Sequence, residues 1–168
     1  IHDLEYDDAP ADAVTSDNIT WSANEISRED RTAHFGHRGG VIFLTGLSGS
    51  GKSPMAVALE SYLITRGVTS FILDGDNLRH GLCADLGFSE EDRKENIRRA
   101  SEAARLLAES GLVVITALIS PFAADRQHAA TICHGAGIPF AEVFVNASLE
   151  TCEKRDPKKL YQRARAGE

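Results

Sequence analysis

Residues 41–53 read Val-Ile-Phe-Leu-Thr-Gly-Leu-Ser-Gly-Ser-Gly-Lys-Ser. The first five form a continuous apolar run, which is typical of a strand buried on both faces. From Gly46 to Ser53 the chain then matches the pattern Gly-x4-Gly-Lys-Ser/Thr at every fixed position. Because a strand precedes this stretch and a helical pattern follows it, the sequence predicts a phosphate-binding loop between a parallel strand and a helix.

Each part of the predicted loop has a chemical reason. Glycines let backbone N–H groups turn toward phosphate oxygens, and the helix N-terminus adds partial positive charge. Lys52 would supply a point charge to the β- and γ-phosphates of ATP, and the Ser53 hydroxyl can ligate Mg²⁺. A glycine-rich turn that only packs helix on strand is the alternative, but the Lys-Ser pair adds nothing to such a turn. The predicted ATP-binding residues are Gly46, Leu47, Ser48, Gly49, Ser50, Gly51, Lys52 and Ser53, with Ser53 as the metal ligand.

Pro54 directly follows this pattern. A proline is tolerated in the first turn of a helix, where N–H groups have no helical partner. In a phosphate loop those same N–H groups bind the nucleotide, so Pro54 removes one potential donor. We expect nucleotide binding to be weakened by this residue and not abolished.

Outward from the loop, strand and helix patterns alternate along the chain. Further strands are predicted over residues 69–73, 112–117 and 140–145, and helical patterns over 52–66, 77–82, 90–110, 123–134, 149–155 and 158–166. The first of these helices places Met55, Leu59, Tyr62 and Leu63 on one side. Such alternation predicts an α/β fold, a parallel sheet covered by helices on both faces. In these folds ligands bind beyond the carboxyl ends of strands, here after Thr45, Leu73, Ala117 and Val145.

Two carboxylates flank a glycine at the end of the second strand, in Leu73-Asp-Gly-Asp-Asn-Leu-Arg79. One carboxylate could accept a proton from a substrate hydroxyl, and the other could hold water on Mg²⁺. Asp76 is favoured as the base because Arg79 lies three residues later, on the same face of a helix that begins there. Asp74 suits the magnesium contact. A turn in which an Asp side chain caps the next helix is the alternative.

Composition limits the classes of protein that remain. The 168 residues carry 18 Lys and Arg against 25 Asp and Glu, a net charge of −7, and 42% are hydrophobic. This argues against a disordered chain and against a general nucleic-acid-binding protein, and no apolar run reaches the length of a membrane span. Cys83, Cys133 and Cys152 have no metal or disulfide spacing, which favours a cytoplasmic protein. We predict an acidic, flexible tail and arm over residues 1–36, with Trp21 packed on the core, and one domain over residues 37–168.

Beyond these patterns, the chain resembles the adenylylsulfate kinases. The matching stretches are GLSGSGKS at 46–53, LDGDNLRHGL at 73–82, DLGFSEEDRKENIRR at 85–99, ISPF at 119–122 and RDPKKLYQRARAGE at 155–168. The resemblance implies a P-loop NTPase of the nucleotide-kinase type, with three layers and a five-stranded parallel sheet. It also implies phosphoryl transfer from MgATP to the 3′-hydroxyl of adenosine 5′-phosphosulfate (APS), which gives 3′-phosphoadenosine 5′-phosphosulfate (PAPS) and ADP.

The same resemblance assigns an acceptor site and a lid. Carried over by motif, the acceptor residues are Asp76, Arg79, Phe88, Arg93, Asn96, Ile119, Ser120 and Lys158. Phe88 offers a ring face to an adenine, although alone it would be interpreted as a packing residue. The predicted catalytic residues are Lys52, Asp74, Asp76 and Ser120. In some members of the family the serine that matches Ser120 can carry phosphate. Residues 158–168 resemble a mobile lid, with a solvated basic helix as the alternative.

Departures from the family pattern keep alternatives open. Asn146 stands where Asp is usual, Lys159 replaces a glycine in the lid, and the family pattern continues after Glu168. A nucleotide or nucleoside kinase with another acceptor therefore remains an alternative, as does a non-catalytic nucleotide-binding module. The resemblance further implies a homodimer and association with, or fusion to, an ATP sulfurylase.

Overall fold

The computed structural model describes Ser22 and residues 25–167. The predictions for the acidic tail and for Trp21 lie outside the described residues. Within them the strands are β1 (Gly40–Thr45), β2 (Ser70–Asp74), β3 (Val113–Ala117) and β4 (Phe140–Phe144). The helices are α1 (Arg28–Phe35), α2 (Lys52–Ile64), α3 (Gly75–Leu78), α4 (Glu90–Glu109), α5 (Ala123–Gly135), α6 (Leu149–Arg155) and α7 (Leu160–Arg165).

The strands form one parallel sheet in the order β2-β3-β1-β4. The predicted α/β fold with a parallel sheet is confirmed. In the part of the chain that the structure describes the sheet has four strands, one fewer than the resemblance implied. Strand boundaries agree with the predicted ones to within one residue, because each apolar run is itself the buried part of its strand.

Apolar side chains cover both faces of the sheet. On one face, Phe43 and Val114 pack with Ala100 and Ala104 of α4 and with Ala129 of α5. Contacts on the other face join Leu44 and Ile115 of the sheet to Ala56 of α2. The result is the three-layer arrangement expected when parallel strands are buried on both sides. Among the described helices, none combines the length and apolarity that crossing a membrane requires.

The buried stripe of α2 differs from the predicted one. Ala56 is fully buried and Leu59 and Leu63 are partly buried, whereas Met55 and Tyr62 are 44% and 54% exposed. Successive buried positions are therefore four, three and four residues apart, starting from Lys52. Met55 and Tyr62 each precede a buried position by one residue, a rotation of about 100° around the helix, and this turns them toward solvent.

Helix α1 was not predicted, since residues 27–31 were interpreted only as part of an arm. Ser27 and Asp30 form reciprocal side-chain-to-backbone caps at its start, the capping-box arrangement. Arg28 donates to the carbonyl oxygens of Ala136 (2.8 Å) and Gly137 (3.3 Å) and thus binds the helix to the loop after α5. The sequence signal was present, but the helix is short and polar and has no buried residues.

Candidate active site

The carboxyl ends of β1, β2 and β3 bring three chain segments to one edge of the sheet. Register pairs Leu44 of β1 and Asp74 of β2 with the same residue of β3, Ala117. The phosphate loop, the Asp-Gly-Asp turn and the Ile119–Ser120 segment therefore start side by side. A hydrogen bond of 2.8 Å from Thr45 Oγ1 to the carbonyl of Ile119 joins the first and third of them.

The phosphate loop requires glycine at particular positions. Gly46 has φ 144° and Gly49 has φ 75°, which L side chains rarely adopt. A Cβ on Gly46 would lie 2.8 Å from the carbonyl oxygen of Val145, and one on Gly49 would lie 2.9 Å from that of Cys152. Glycine is therefore needed both for the backbone turn and because β4's end and α6 pack directly against the loop.

Lys52 is 8% exposed and lies at the start of α2. Its Nζ donates to the carbonyl oxygens of Gly46 and Leu47, each at 2.8 Å. Burial lowers the pKa of the Lys52 ammonium group, and the nearby Asp74 and Asp76 carboxylates act in the opposite direction. The ammonium group is thus held against the loop, where a phosphate oxygen would offer a stronger acceptor than a carbonyl.

Asp74 connects the phosphate loop to the second strand. Ser53 Oγ donates a 2.6 Å hydrogen bond to Asp74 Oδ2, and Asp74 Oδ1 accepts one of 2.9 Å from the backbone N–H of Asp76. Asp74 is therefore also the cap of α3, so the capping alternative and the functional interpretation hold for the same residue. One oxygen stabilises the turn, and the other faces the predicted metal ligand.

Asp76 forms an ion pair with Lys158. The prediction that Arg79 shares a helix face with Asp76 is wrong, because the Arg79 guanidinium donates instead to the carbonyl oxygens of Leu86 (3.1 Å) and Gly87 (2.8 Å). Helix α3 has only four residues and ends at Leu78. Arg79 thus follows its last turn and binds carbonyl groups of the loop before α4.

Phe88 is 70% exposed, so the interpretation as a buried packing residue is wrong. The Arg79 guanidinium lies over its ring at 4.3 Å from the centroid. Arg93 Nε donates to the carbonyl oxygen of Phe88 at 2.9 Å, which holds the loop at the start of α4. An exposed ring supported by a cation on one side leaves a face on which a base can stack.

Asn96 and Ser120 are buried polar residues with unsatisfied groups. Asn96 is 5% exposed and Ser120 2%, and within the described residues neither Asn96 Nδ2 nor Ser120 Oγ has a hydrogen-bond partner. Ser120 also adopts φ 43°, an uncommon conformation for a residue with a side chain. Buried polar groups normally have partners, so both atoms are candidates for contact with a ligand. The neighbouring Ile119 side chain is 45% exposed.

The loop before α4 is fastened by a network of charged groups. Arg99 binds Asp85 at 2.6 Å, Glu95 at 2.8 Å and the carbonyl oxygen of Leu82 at 3.0 Å. Hydrogen bonds from Arg98 and then from Arg99 lower the pKa of Glu95 to about 2. This network fixes residues 82–85 against α4. It thereby holds in place the predicted acceptor residues that lie before and after this segment in the chain.

Sequence reasoning missed three residues that contact the site. Arg155 and Tyr161 donate to carbonyl groups of the phosphate loop. Arg126 of α5 donates to the carbonyl oxygen of Ser120 at 2.9 Å and binds Glu142 at 2.7 Å. Arg155 and Tyr161 lie within the stretch at 155–168 that carries the resemblance, so that match was the available signal. No local pattern indicates Arg126.

Oxygen ligands for a magnesium ion are few. Among the described residues no group of three or more His, Cys, Asp or Glu side chains could hold a metal ion. Mg²⁺ in phosphoryl-transfer sites is usually bound by one or two protein oxygens together with waters and substrate phosphates. The Ser53 hydroxyl and the Asp74 carboxylate, next to a phosphate loop, fit that requirement.

The chain was compared with known proteins by sequence. The sequence profile of the family described as adenylylsulphate kinase matches residues 38–168. An adenylyl-sulfate kinase of Klebsiella pneumoniae subsp. pneumoniae is 58% identical over 156 residues, which are 93% of this chain and 77% of that protein. The chain belongs to the adenylylsulphate kinase family.

Two solved structures of the same family are also similar. The APS kinase CysC of Mycobacterium tuberculosis, in complex with AMPPNP and APS, matches with a TM-score of 0.75 and 54% identity, over 77% of this chain and 75% of that one. A hexameric APS kinase from Thiobacillus denitrificans matches with a TM-score of 0.59 and 34% identity, over 64% of this chain and 22% of that one. The family relationship thus extends from sequence to the folded backbone, and the predicted P-loop NTPase fold is confirmed.

Proposed function

We propose that this chain transfers the γ-phosphoryl group of ATP to the 3′-hydroxyl of APS, giving PAPS and ADP. As an adenylylsulphate kinase it is an ATP- and Mg²⁺-dependent phosphotransferase of sulfate activation. The observation that carries the assignment of residues is the approach of Ser53 to Asp74 at 2.6 Å. This contact joins the nucleotide-binding loop to the segment that begins the acceptor site. ATP and APS would therefore meet where these two segments adjoin.

On the donor side, the loop residues 46–53 bind the ATP phosphates. Their backbone N–H groups and the N-terminus of α2 stabilise negative charge. Lys52 leaves the carbonyl groups of Gly46 and Leu47 and binds the β- and γ-phosphates, where it compensates charge as the γ-phosphoryl group is transferred. The Ser53 hydroxyl and, through water, the Asp74 carboxylate would hold Mg²⁺, which would supply positive charge next to the ATP phosphates.

On the acceptor side, the APS adenine stacks on the exposed face of the Phe88 ring. Arg79 lies over the Phe88 ring and Arg93 binds the Phe88 carbonyl oxygen. The forked donors of both residues match the oxygens of a phosphosulfate group. Asn96 Nδ2 and Ser120 Oγ supply donors that are otherwise unpaired among the described residues. A buried site with unsatisfied donors also discriminates against acceptors that cannot pair with them.

Asp76 accepts the proton of the attacking 3′-hydroxyl. Its carboxylate is exposed, and Asp76 follows Asp74 in the segment that begins the acceptor site. Lys158, from the segment between α6 and α7, forms an ion pair with it. The Lys158 ammonium group, as the partner of this ion pair, orients the carboxylate. Because Lys158 belongs to the proposed lid, closing of the lid and orientation of the base would occur together and exclude water from the phosphoryl group.

The comparison of acceptors tests the proposal. ADP formation from MgATP is measured with APS, with AMP, with CMP and with no acceptor. We expect stimulation by APS alone. Stimulation by AMP or CMP instead would assign the chain to the nucleotide kinases with another acceptor, and ATP binding without stimulation by any of them would indicate a nucleotide-binding module.

Four broader features belong to the same proposal. The enzyme works as a homodimer in the cytoplasm, and its kinase domain covers residues 37–168, with residues 1–36 before it in the chain. Cys83, Cys133 and Cys152 are all buried and unpaired with one another, which supports a reducing compartment. The hexameric T. denitrificans chain is much longer than the matched part, which supports fusion or association with a second activity such as ATP sulfurylase. Light scattering on the purified chain tests the dimer.

A further inference from the structure

Two side chains from the C-terminal part of the fold hold three successive carbonyl groups of the phosphate loop. Tyr161 Oη donates to the carbonyl oxygen of Ser48 at 2.9 Å. Arg155 Nη1 donates to those of Gly49 at 3.2 Å and Ser50 at 3.3 Å. The partners are separated by 105 to 113 positions in the chain, so these contacts exist only when α6 and α7 pack on the loop.

Peptide geometry gives these contacts a consequence for nucleotide binding. In a trans peptide the C=O and the following N–H point in opposite directions. When the carbonyl groups of Ser48 and Ser50 are held toward α6 and α7, the N–H groups of Gly49 and Gly51 are directed away from those helices. These are N–H groups of the phosphate loop. The Ser50 N–H is already used, because it donates to the carbonyl oxygen of Leu47 at 3.1 Å.

The phosphate loop needs contacts from other segments, because its own glycine-rich backbone does little to restrict its conformation. Glycine occupies positions 46, 49 and 51 with positive φ at each, and a glycine backbone loses the most conformational entropy when it is fixed. Contact with α6 is close, since a Cβ on Gly49 would lie 2.9 Å from the carbonyl oxygen of Cys152. Cys152 itself is fully buried. Helix α6 is therefore packed firmly against the loop, and Arg155 at its end is held in position.

We propose that Arg155 and Tyr161 are positioning residues that orient the phosphate-loop peptides for the α- and β-phosphates, and that they couple the lid to nucleotide affinity. Tyr161 lies beside Lys158 in the segment proposed as the lid, and Lys158 binds Asp76. One segment thus contacts both the base and the loop. Burial raises the pKa of the Tyr161 phenol, so its hydroxyl remains a donor at neutral pH.

Removal of the Tyr161 hydroxyl is the cleanest test, because Tyr161→Phe deletes one oxygen and preserves the ring. We expect the dissociation constants of ADP and AMPPNP to rise by the same factor, about two- to tenfold, the usual effect of one neutral hydrogen bond. The KM for APS should not change. In the free protein, hydrogen exchange at the N–H groups of Gly49 and Gly51 should become faster.

Arg155→Lys keeps the charge but replaces the planar guanidinium, whose Nη1 donates to both carbonyl groups, with a shorter side chain that ends in an ammonium group. We expect it to weaken ADP and AMPPNP equally as well, in contrast to a residue that contacts the γ-phosphate and would weaken AMPPNP alone. Tyr62→Phe and Arg66→Lys are matched controls at exposed positions at and after the end of α2, and both should bind nucleotide normally.

Unchanged affinity for ADP in both test variants would overturn the proposal, as would a loss confined to AMPPNP. The inference rests on the proposed function only in that ATP is the nucleotide. ADP binding and hydrogen exchange need neither APS nor turnover, so a failure of the APS assay would leave this test intact.

Discussion

The Ser53 hydroxyl and the Asp74 carboxylate lie 2.6 Å apart, although 21 positions separate them in the chain. Ser53 is in the first turn of α2 and Asp74 is the last residue of β2. The contact places a hydroxyl and a carboxylate oxygen where the phosphate loop meets the acceptor segment. It also divides the two neighbouring aspartates between two partners, because Asp76 pairs with Lys158 instead.

The first prediction concerns Asp74. Asp74→Asn should raise the Mg²⁺ concentration needed for half-maximal activity, because an amide is a weaker magnesium ligand or water acceptor than a carboxylate. The capping hydrogen bond to the Asp76 N–H can persist through the amide oxygen, so folding should be retained. Activity is titrated against Mg²⁺ at saturating ATP and APS. An unchanged magnesium requirement would contradict the role.

Asp76→Asn should instead lower kcat by about 10²–10⁴-fold, the usual contribution of a general base. Affinity for ATP should change little, since Asp76 is proposed to contact the APS hydroxyl and not the ATP phosphates. Because phosphoryl transfer relies strongly on positioning, the loss need not be complete. Steady-state kinetics of both variants serve as reciprocal controls. Near-normal kcat for Asp76→Asn, with a loss for Asp74→Asn at saturating Mg²⁺, would show that the roles are exchanged.

Lys52→Ala should abolish the protection that ATP gives against thermal unfolding. The buried ammonium group is the cation held against the phosphate loop, and its removal leaves the phosphates without that charge. Since the buried stem also packs, Lys52→Met tests the charge while preserving most of the side-chain volume. Lys94→Ala on α4 is the control and should show the normal ATP-induced shift. A full shift in Lys52→Met would rule out the assignment.

Lys159 adopts φ 54°, a left-handed conformation that glycine adopts more readily than a residue with a side chain. Such a backbone costs a residue with a Cβ about 1–2 kcal/mol. Lys159→Gly should therefore favour the observed arrangement of the lid and lower the KM for ATP. Lys154→Gly, inside α6, should instead destabilise the protein, because glycine is unfavourable in a helix. A higher KM for Lys159→Gly would mean that the lysine side chain itself binds nucleotide.

The Glu95 network predicts a pH dependence of stability. The pKa of Glu95 is about 2 in the folded protein, against an ordinary value of 4.5. A lowered folded-state pKa means that the stabilisation is fully present above pH 4.5 and is lost as pH falls toward 2. The difference in unfolding free energy between the natural chain and Glu95→Gln should therefore shrink below pH 4.5. Urea unfolding at several pH values measures it, and a constant difference would refute the prediction.

The amino-acid sequence by itself determined the strands, most of the helices and the prediction of a nucleotide site at residues 46–53. Residues 46–53 are contiguous, and their function depends on their own backbone together with the helix that immediately follows. The strands could be predicted equally well, since a buried parallel strand is a short apolar run wherever it lies in the chain. Helix α1 and the exposure of Met55 and Tyr62 were harder, because short polar helices and the edges of a buried stripe give weak periodic signals.

Only the tertiary structure decided which side chains meet across the site. Tyr161 contacts Ser48 from 113 positions away, Lys158 contacts Asp76 from 82, and Arg79 turns from the predicted carboxylate to nearby carbonyl groups. Sequence periodicity specifies the face of an element on which a residue lies. It does not specify the partner, because long-range hydrogen bonds depend on how separately formed helices and loops pack around the sheet.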